Sequence, residues 1–275
     1  MGYTTDMRLT REIRTWFGET APADRHPAGN TWAGTCKNLE FSRFFIVRVS
    51  VEGDPDPQTG YVCDIRMLDQ LALTIAANRI QASVQAGGPS LSKLEDALVD
   101  SFARASKTVP EGTELRLLEL LLSPYTRLMI EYEGEMMLKL TQSYEFSASH
   151  RLAIPTMSDD ENLKLFGKCS NPHGHGHNYV VEVTLAQNAT DRRPESTNIG
   201  WMDRIVRDNV IEPFDHKNLN VECAEFSDLN PTVENIAAVI FSKLADHFGD
   251  TLLDSVRVWE TPKTSAQVTR DRSCH

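Results

Sequence analysis

Met136 to Asn188 read MMLKLTQSYEFSASHRLAIPTMSDDENLKLFGKCSNPHGHGHNYVVEVTLAQN, and the phase of its apolar residues decides the fold. In an extended chain, residues two apart share a face. From Met136 onward the even positions Leu138, Leu140, Tyr144, Phe146 and Ala148 are mostly apolar, and His150 continues that face. Beyond the Gly-His run the odd positions Tyr179, Val181, Val183 and Leu185 are apolar, and His175 and His177 precede them in the same phase. The pattern predicts two adjacent strands that end in three histidines on one inward face. Helical periodicity appears elsewhere. Val233, Ile236, Ala237, Ile240, Phe241, Leu244 and Phe248 recur at i, i+3, i+4, which predicts a helix over Pro231 to Phe248 with Asn230 as its N-cap. A second helix is expected over Leu91 to Ser106 and a third near Asp203 to Ile211. Strands that precede clustered helices point to an α+β fold with an antiparallel sheet.

The pattern occurs twice. LKLT from Leu138 echoes MRLT from Met7, and GKCSN around Cys169 echoes GTCKN around Cys36. NYVVEVTL echoes FFIVRVSV, and VRVWET (Val256 to Thr261) echoes LRLLEL (Leu115 to Leu120), in the same order at an offset of about 133 residues. A boundary in the polar turn near Gly134 divides the chain into 1–134 and 135–275.

Composition narrows the class. The 275 residues carry 28 Lys plus Arg against 39 Asp plus Glu, a net charge of −11, which argues against a general nucleic-acid binder. With 40% hydrophobic and 24% charged residues the chain reads as globular rather than disordered. No stretch reaches the roughly 18 apolar residues of a membrane span, and the charged N-terminus does not read as a secretory signal. Five widely spaced cysteines (Cys36, Cys63, Cys169, Cys223, Cys274) suit free thiols in a reducing, cytoplasmic compartment.

The polar residues of the second half suggest chemistry. Three neutral imidazoles with one open position make a catalytic zinc site. His150 is one candidate ligand, and the HGHGH run offers His175 with either His177 or His173. Cys169, six residues before His175, would be a base or nucleophile as a thiolate. Asp215 beside His216 can orient the ring and stabilise its charge. Glu260 falls on the apolar face of VRVWET, where a carboxylate needs an internal cation or a ligand with donors, such as the guanidine-like edge of a heterocycle. Thr232 and Glu234 belong either to the same site or simply to a helix cap.

FSASHRL, ENLKLFGKCSNPHGHGHNY, DHKNLN, PTVEN and VRVWET, in that order and spacing, resemble the 6-pyruvoyltetrahydropterin synthases over nearly all of Met136 to Thr261. The resemblance implies the tunnelling fold, here two tandem ββααββ units whose antiparallel sheets assemble into a barrel. It implies a homo-oligomer with sites between subunits, and zinc on His150, His175 and His177. Cys169 would be the proton-transferring thiol, Asp215 and His216 its relay, and Glu260 the anchor of the pterin, with Thr232 and Glu234 as further substrate contacts. The implied reaction turns 7,8-dihydroneopterin triphosphate into 6-pyruvoyltetrahydropterin and triphosphate without a nucleotide or redox cofactor. Arg151, Lys164, Lys168 and Lys217 are the cations near the motifs, either meeting the triphosphate or solvated at the surface. The related 6-carboxytetrahydropterin synthases have a Cys-to-His spacing that His173 also satisfies, so that activity is the alternative, beside a non-catalytic pterin-binding protein.

The first half departs from the pattern. Glu19 stands where the second half has His150, no histidine follows GTCKN at either ligand position, and no DHKN occurs. Cys36 and Glu119 remain as matches to Cys169 and Glu260. The first half is therefore expected to be a degenerate unit that supplies strands and subunit contacts, as in the fused units of the urate oxidases.

Overall fold

Alternating apolar residues do form the strands, and the periodic segments form the helices that cover them. The structure, a computed structural model, describes residues 7–17, 43–73, 79–80, 82, 90–192, 198–248 and 253–271. The chain divides into Met1–Leu140 with Gln187–Arg193, and Thr141–Ala186 with Pro194–His275. Among the described residues, no helix is long and apolar enough to cross a membrane.

In the first unit β1 (Met7–Phe17) pairs antiparallel with β2 (Arg43–Gly53), β2 with β3 (Thr113–Leu121), and β3 with β4 (Thr126–Tyr132). The helices α1 (Ile65–Gln70) and α2 (Leu91–Ala105) lie between β2 and β3 in the chain. Ser90 caps α2 by accepting from the Lys93 amide at 3.3 Å. The expected face of α2, Leu94, Leu98, Phe102 and Ala105, is buried, as are Val47, Val49 and Val51 of β2. Each of these leucines, valines and the phenylalanine contributes roughly 1.5–3 kcal/mol by leaving water.

The second unit repeats this order. β5 (Met136–His150) neighbours β6 (His175–Asn188), which pairs antiparallel with β8 (Leu253–Thr261), and β8 with β9 (Thr264–Thr269). A two-residue strand, β7 (Lys217–Asn218), runs parallel to the end of β5. The longer described helices are α3 (Asp159–Phe166), α4 (Ile199–Val206) and α5 (Val233–Phe248). The α+β class and the antiparallel pairing are as expected. Within each unit, no pairing joins its first strand to its last among the described residues, so no barrel closes within a unit.

Two helix boundaries differ from the sequence expectation. The helix expected near Asp203 to Ile211 begins at Ile199, because the Asn198 side chain caps it by accepting from the Trp201 amide at 2.9 Å, and it widens over Arg207–Ile211. The last helix begins at Val233 rather than Pro231. Its cap is Thr232, whose Oγ1 accepts from the Asn235 amide at 3.3 Å. Asn230 is engaged elsewhere: its side chain accepts from the Ala153 amide at 3.1 Å.

Matching hydroxyl pairs put the two units in a common register. Thr10 and Ser50 share a hydrogen bond of 2.8 Å, and Thr141 and Thr184 one of 2.9 Å. The last sequence match does not survive this register. In the first unit a bulge lies between Ser50↔Leu117 and Val51↔Leu115, so the residues facing the helices are Leu115, Leu118 and Leu120. In the second it lies between Thr184↔Ser255 and Leu185↔Leu253, and Leu253, Val256 and Val258 face inward. Glu119 therefore sits on the opposite face from Leu118 and Leu120, whereas Glu260 continues the phase of Val256 and Val258. The two glutamates align in sequence but not in space: both units carry the bulge at the same place, so Leu118 matches Val256 and Glu119 matches Arg257, and this odd offset from the sequence match puts the carboxylates on opposite faces.

Glu95 is the charged residue on the buried side of α2, only 1% exposed. Burial pushes its carboxyl up to about 7, against the opposing pull of Arg192. Since the folded value lies above the unfolded one, this group contributes stability that is complete below about pH 4.5 and is lost as pH rises through about 7. Glu95→Gln should flatten that dependence and stabilise the protein at pH 8 by about 1–3 kcal/mol. Denaturant titrations at pH 4.5, 6 and 8 check this; an unchanged pH dependence would contradict it.

Candidate functional site

His150, the last residue of β5, is fully buried. Its Nδ1 lies 2.7 Å from the Pro231 carbonyl oxygen, which can only accept. The proton is thereby placed on Nδ1 and the lone pair of Nε2 points inward. Burial drives its pKa down to about 4, with smaller contributions from His175 and His177, so the ring is neutral near pH 7. His175 and His177 begin β6 on the same face. The glycine between His173 and His175 has a structural purpose. Gly174 has φ +71°, and a Cβ there would stand 3.0 Å from the His150 carbonyl oxygen.

The three rings converge. Nε2 of His150 and Nε2 of His175 are 3.1 Å apart, and one ligand atom from each of His150, His175 and His177 falls within 4.8 Å of the others. A tetrahedral zinc with bonds of about 2.0–2.1 Å needs donors roughly 3.4 Å apart, so the set fits such an ion. Two buried ring nitrogens, His175 Nδ1 and His177 Nε2, have no hydrogen-bond partner in the protein. Leaving both bare is costly, and an ion satisfies the second. Glu260 Oε1 lies 3.4 Å from His150 Nε2 and 3.6 Å from His177 Nε2. His173, the spare histidine of the run, is exposed, its amide held by Asn171 Oδ1 at 3.0 Å.

Cys169 sits half-buried on a tight turn, Gly167–Ser170, that follows α3. Its carbonyl accepts from the Leu152 amide at 2.8 Å, which ties the turn to the segment leaving His150. Asp215 and His216 form a second group. Asp215 Oδ1 accepts from the Ser147 amide at 2.8 Å, and its Oδ2 is 2.7 Å from His216 Nδ1. These bonds, the Ser147 amide first, hold the Asp215 carboxyl below the usual carboxylate range. His216 has φ +57°, the sole positive value for a non-glycine among the described residues, and its side chain is 82% exposed. None of its hydrogen bonds runs to Cys169.

Of the remaining expected residues, Thr232 caps α5 and Glu234 is exposed in its first turn. Arg151 is held by the Ser170 carbonyl at 2.9 Å and by Asp159 at 2.6 Å, and Lys217 faces Glu222 at 3.3 Å. Lys164 and Lys168 are exposed. In the first unit, Glu119 is paired with Arg48 at 2.9 Å, and Arg48 also bonds Glu12 at 2.9 Å. Cys36, Glu19 and Cys274 lie outside the described residues. Sequence reasoning missed the Pro231 carbonyl, which has no sequence signature, and the Tyr179 hydroxyl, which stands in an apolar phase and reads as core.

A protein-family model described as 6-pyruvoyl tetrahydropterin synthase matches residues 139–271. The human 6-pyruvoyl tetrahydrobiopterin synthase is 40% identical over 123 residues, which is 45% of this chain and 85% of that protein. A 6-carboxy-5,6,7,8-tetrahydropterin synthase from Rickettsia conorii is 29% identical over 48% of this chain and 100% of its own length. The structure of Caenorhabditis elegans 6-pyruvoyl tetrahydropterin synthase is similar with a TM-score of 0.45 and 32% identity, over 50% of this chain and 98% of that one.

The geometry leads to a direct expectation. The full chain should bind about one zinc per chain, and His150→Ala should weaken that binding at least 100-fold, with His173→Ala leaving it unchanged. Elemental analysis after dialysis against graded chelator checks both, and a content near two per chain would contradict a single centre.

Proposed function

The chain belongs to the 6-pyruvoyl tetrahydropterin synthase family, and we propose that its second unit converts 7,8-dihydroneopterin triphosphate to 6-pyruvoyltetrahydropterin with release of triphosphate. The observation that carries this reading is the convergence of three histidines beside a carboxylate at the inner end of two strands. His150, His175 and His177 would hold zinc, and bound there it polarises the oxygens of the substrate side chain and acidifies the adjacent carbon-bound protons.

The chain's own residues do the rest. Glu260, at the edge of this face, accepts from the N–H groups of the pterin's guanidine-like edge and so orients the ring. Cys169 as thiolate takes a proton from the side chain, and His216, oriented by Asp215, exchanges it. Elimination then expels triphosphate, so the electrons stay within the substrate and no redox partner enters. The 82% exposure of His216, whose side chain bonds Asp215 alone among the described residues, supports a site completed between copies in a homo-oligomer. We read residues 1–134 as a degenerate unit without zinc ligands and 135–275 as the catalytic unit of a cytoplasmic enzyme. The Arg48 partner of Glu119 supports this, since that carboxylate is already neutralised from within its own sheet.

The Rickettsia relative keeps a second product in view, 6-carboxytetrahydropterin with acetaldehyde. Incubating zinc-loaded protein with 7,8-dihydroneopterin triphosphate and identifying products by mass spectrometry separates the readings. The pyruvoyl product with triphosphate is expected. The carboxy product would reassign the reaction, and unchanged substrate would favour a pterin-binding protein. Cys169→Ala should lower turnover by at least 1,000-fold with zinc retained, whereas Glu119→Gln should leave turnover within about twofold.

A further inference from the structure

Tyr179 is fully buried, yet its hydroxyl has no hydrogen-bond partner in the protein. An unpaired buried hydroxyl is destabilising, so its presence calls for a reason. The ring itself is well placed: it stacks on Phe146 at 5.0 Å between centroids and meets the edges of His150 and His177 at 6.2 and 5.7 Å. The first unit shows that the fold does not need the hydroxyl. Counting five residues back from Ser50 or Thr184, the hydroxyl-bonded residue of each second strand, reaches Phe45 in one unit and Tyr179 in the other. Phe45 is buried in the same strand phase, 5% exposed. Phenylalanine thus serves where no histidine cluster exists, and tyrosine stands where one does.

The partner of the hydroxyl follows from its neighbours. The ladder of β6 and β8 pairs Val181 with Val258 and ends at Val180 with Trp259; Glu260 follows at a bulge of β8 against β9, and its carboxylate lies against His150 and His177, whose rings Tyr179 also touches. A phenol is protonated at neutral pH, so the group is an O–H donor. Glu260 Oε1 now rests against Nε2 of His150 and His177. Once those nitrogens give their lone pairs to an ion, they carry no proton toward the carboxylate. The phenol is then a buried donor left on that face.

We propose that Tyr179 is a positioning residue for Glu260: its phenol donates to the inner side of the carboxylate and fixes the orientation in which the outer side receives the pterin edge. The proposal rests on the pterin reading of the site, and two measurements keep the two apart. The first needs no pterin. In zinc-loaded full-length protein carrying labelled tyrosine, the hydroxyl proton of Tyr179 should resonate downfield and move upfield in Glu260→Gln, because an amide is a weaker acceptor, while Cys169→Ala leaves it in place. A resonance that ignores Glu260→Gln, or follows Cys169→Ala instead, overturns the proposal.

The second is equilibrium binding of neopterin to the zinc-loaded wild type, Tyr179→Phe, Glu260→Gln and the double variant. Tyr179→Phe should keep its zinc and melt at the same or a higher temperature, yet bind neopterin about tenfold or more weakly. The double variant should bind no more weakly than Glu260→Gln alone. Undiminished binding by Tyr179→Phe, or additive losses, would refute the positioning role. If the wild type itself fails to bind neopterin, the pterin reading falls, and with it the ligand half of the proposal, while the Tyr179–Glu260 contact is decided by the first measurement.

Discussion

The hydrogen bond from His150 Nδ1 to the Pro231 carbonyl, 2.7 Å long and out of contact with water, governs the arrangement of the second unit. It joins the end of a strand to the start of the longest described helix of that unit and determines which nitrogen of the ring faces inward. From Arg151 to Ile154 the backbone that leaves His150 is held at every amide by a different segment. Arg151 donates to Asn220 at 2.7 Å, Leu152 to the Cys169 carbonyl at 2.8 Å, Ala153 to Asn230 at 3.1 Å and Ile154 to Asn162 at 2.7 Å. A segment without regular structure thereby satisfies its donors completely. The asparagines and Cys169 are placed by the same bonds that place the histidine, so the site is organised before any ligand arrives.

The two units show what happens to one scaffold under different demands. Both keep a hydroxyl pair between their first two strands, and both keep a helix over an aliphatic sheet face. In the first unit the polar face is filled by internal ion pairs, with Arg48 shared between Glu12 and Glu119 and Arg116 between Glu52 and Glu114. Charges paired in this way have no capacity left for a substrate. In the second unit Glu260, the three imidazoles and the Tyr179 hydroxyl lack such internal neutralisation. Unpaired polar groups destabilise a fold, and their concentration at one end of β5, β6 and β8 is the physical signature of a place where a ligand supplies the missing partners.

Much of this was legible in the chain alone. Period-two alternation placed His150, His175 and His177 on one face, because a strand offers only two sides and a core fills one of them. The i, i+3, i+4 recurrence found the helices, and the order of elements follows from them. Helix starts were less legible: Asn230 and Pro231 read as cap and first turn, but tertiary structure took the Asn230 side chain for Ala153 and the Pro231 carbonyl for His150. Local propensity cannot register a competing partner that is distant in sequence.

The strand registers mark the sharper division. By residue type and order, Glu119 and Glu260 are equivalents, and nothing in LRLLEL or VRVWET says otherwise. Only the pairing of β2 with β3 and of β6 with β8 reveals that the strands match an odd number of residues away from the motif alignment, which puts the two carboxylates on opposite faces. The sequence by itself determined the α+β class, the histidine face and the residues able to carry chemistry, because those depend on short periodicities and residue type. Tertiary structure decided which glutamate joins the histidines, which ring nitrogen is free and that the Tyr179 hydroxyl is left without a protein partner, because each depends on a contact between strands or helices that no local pattern encodes.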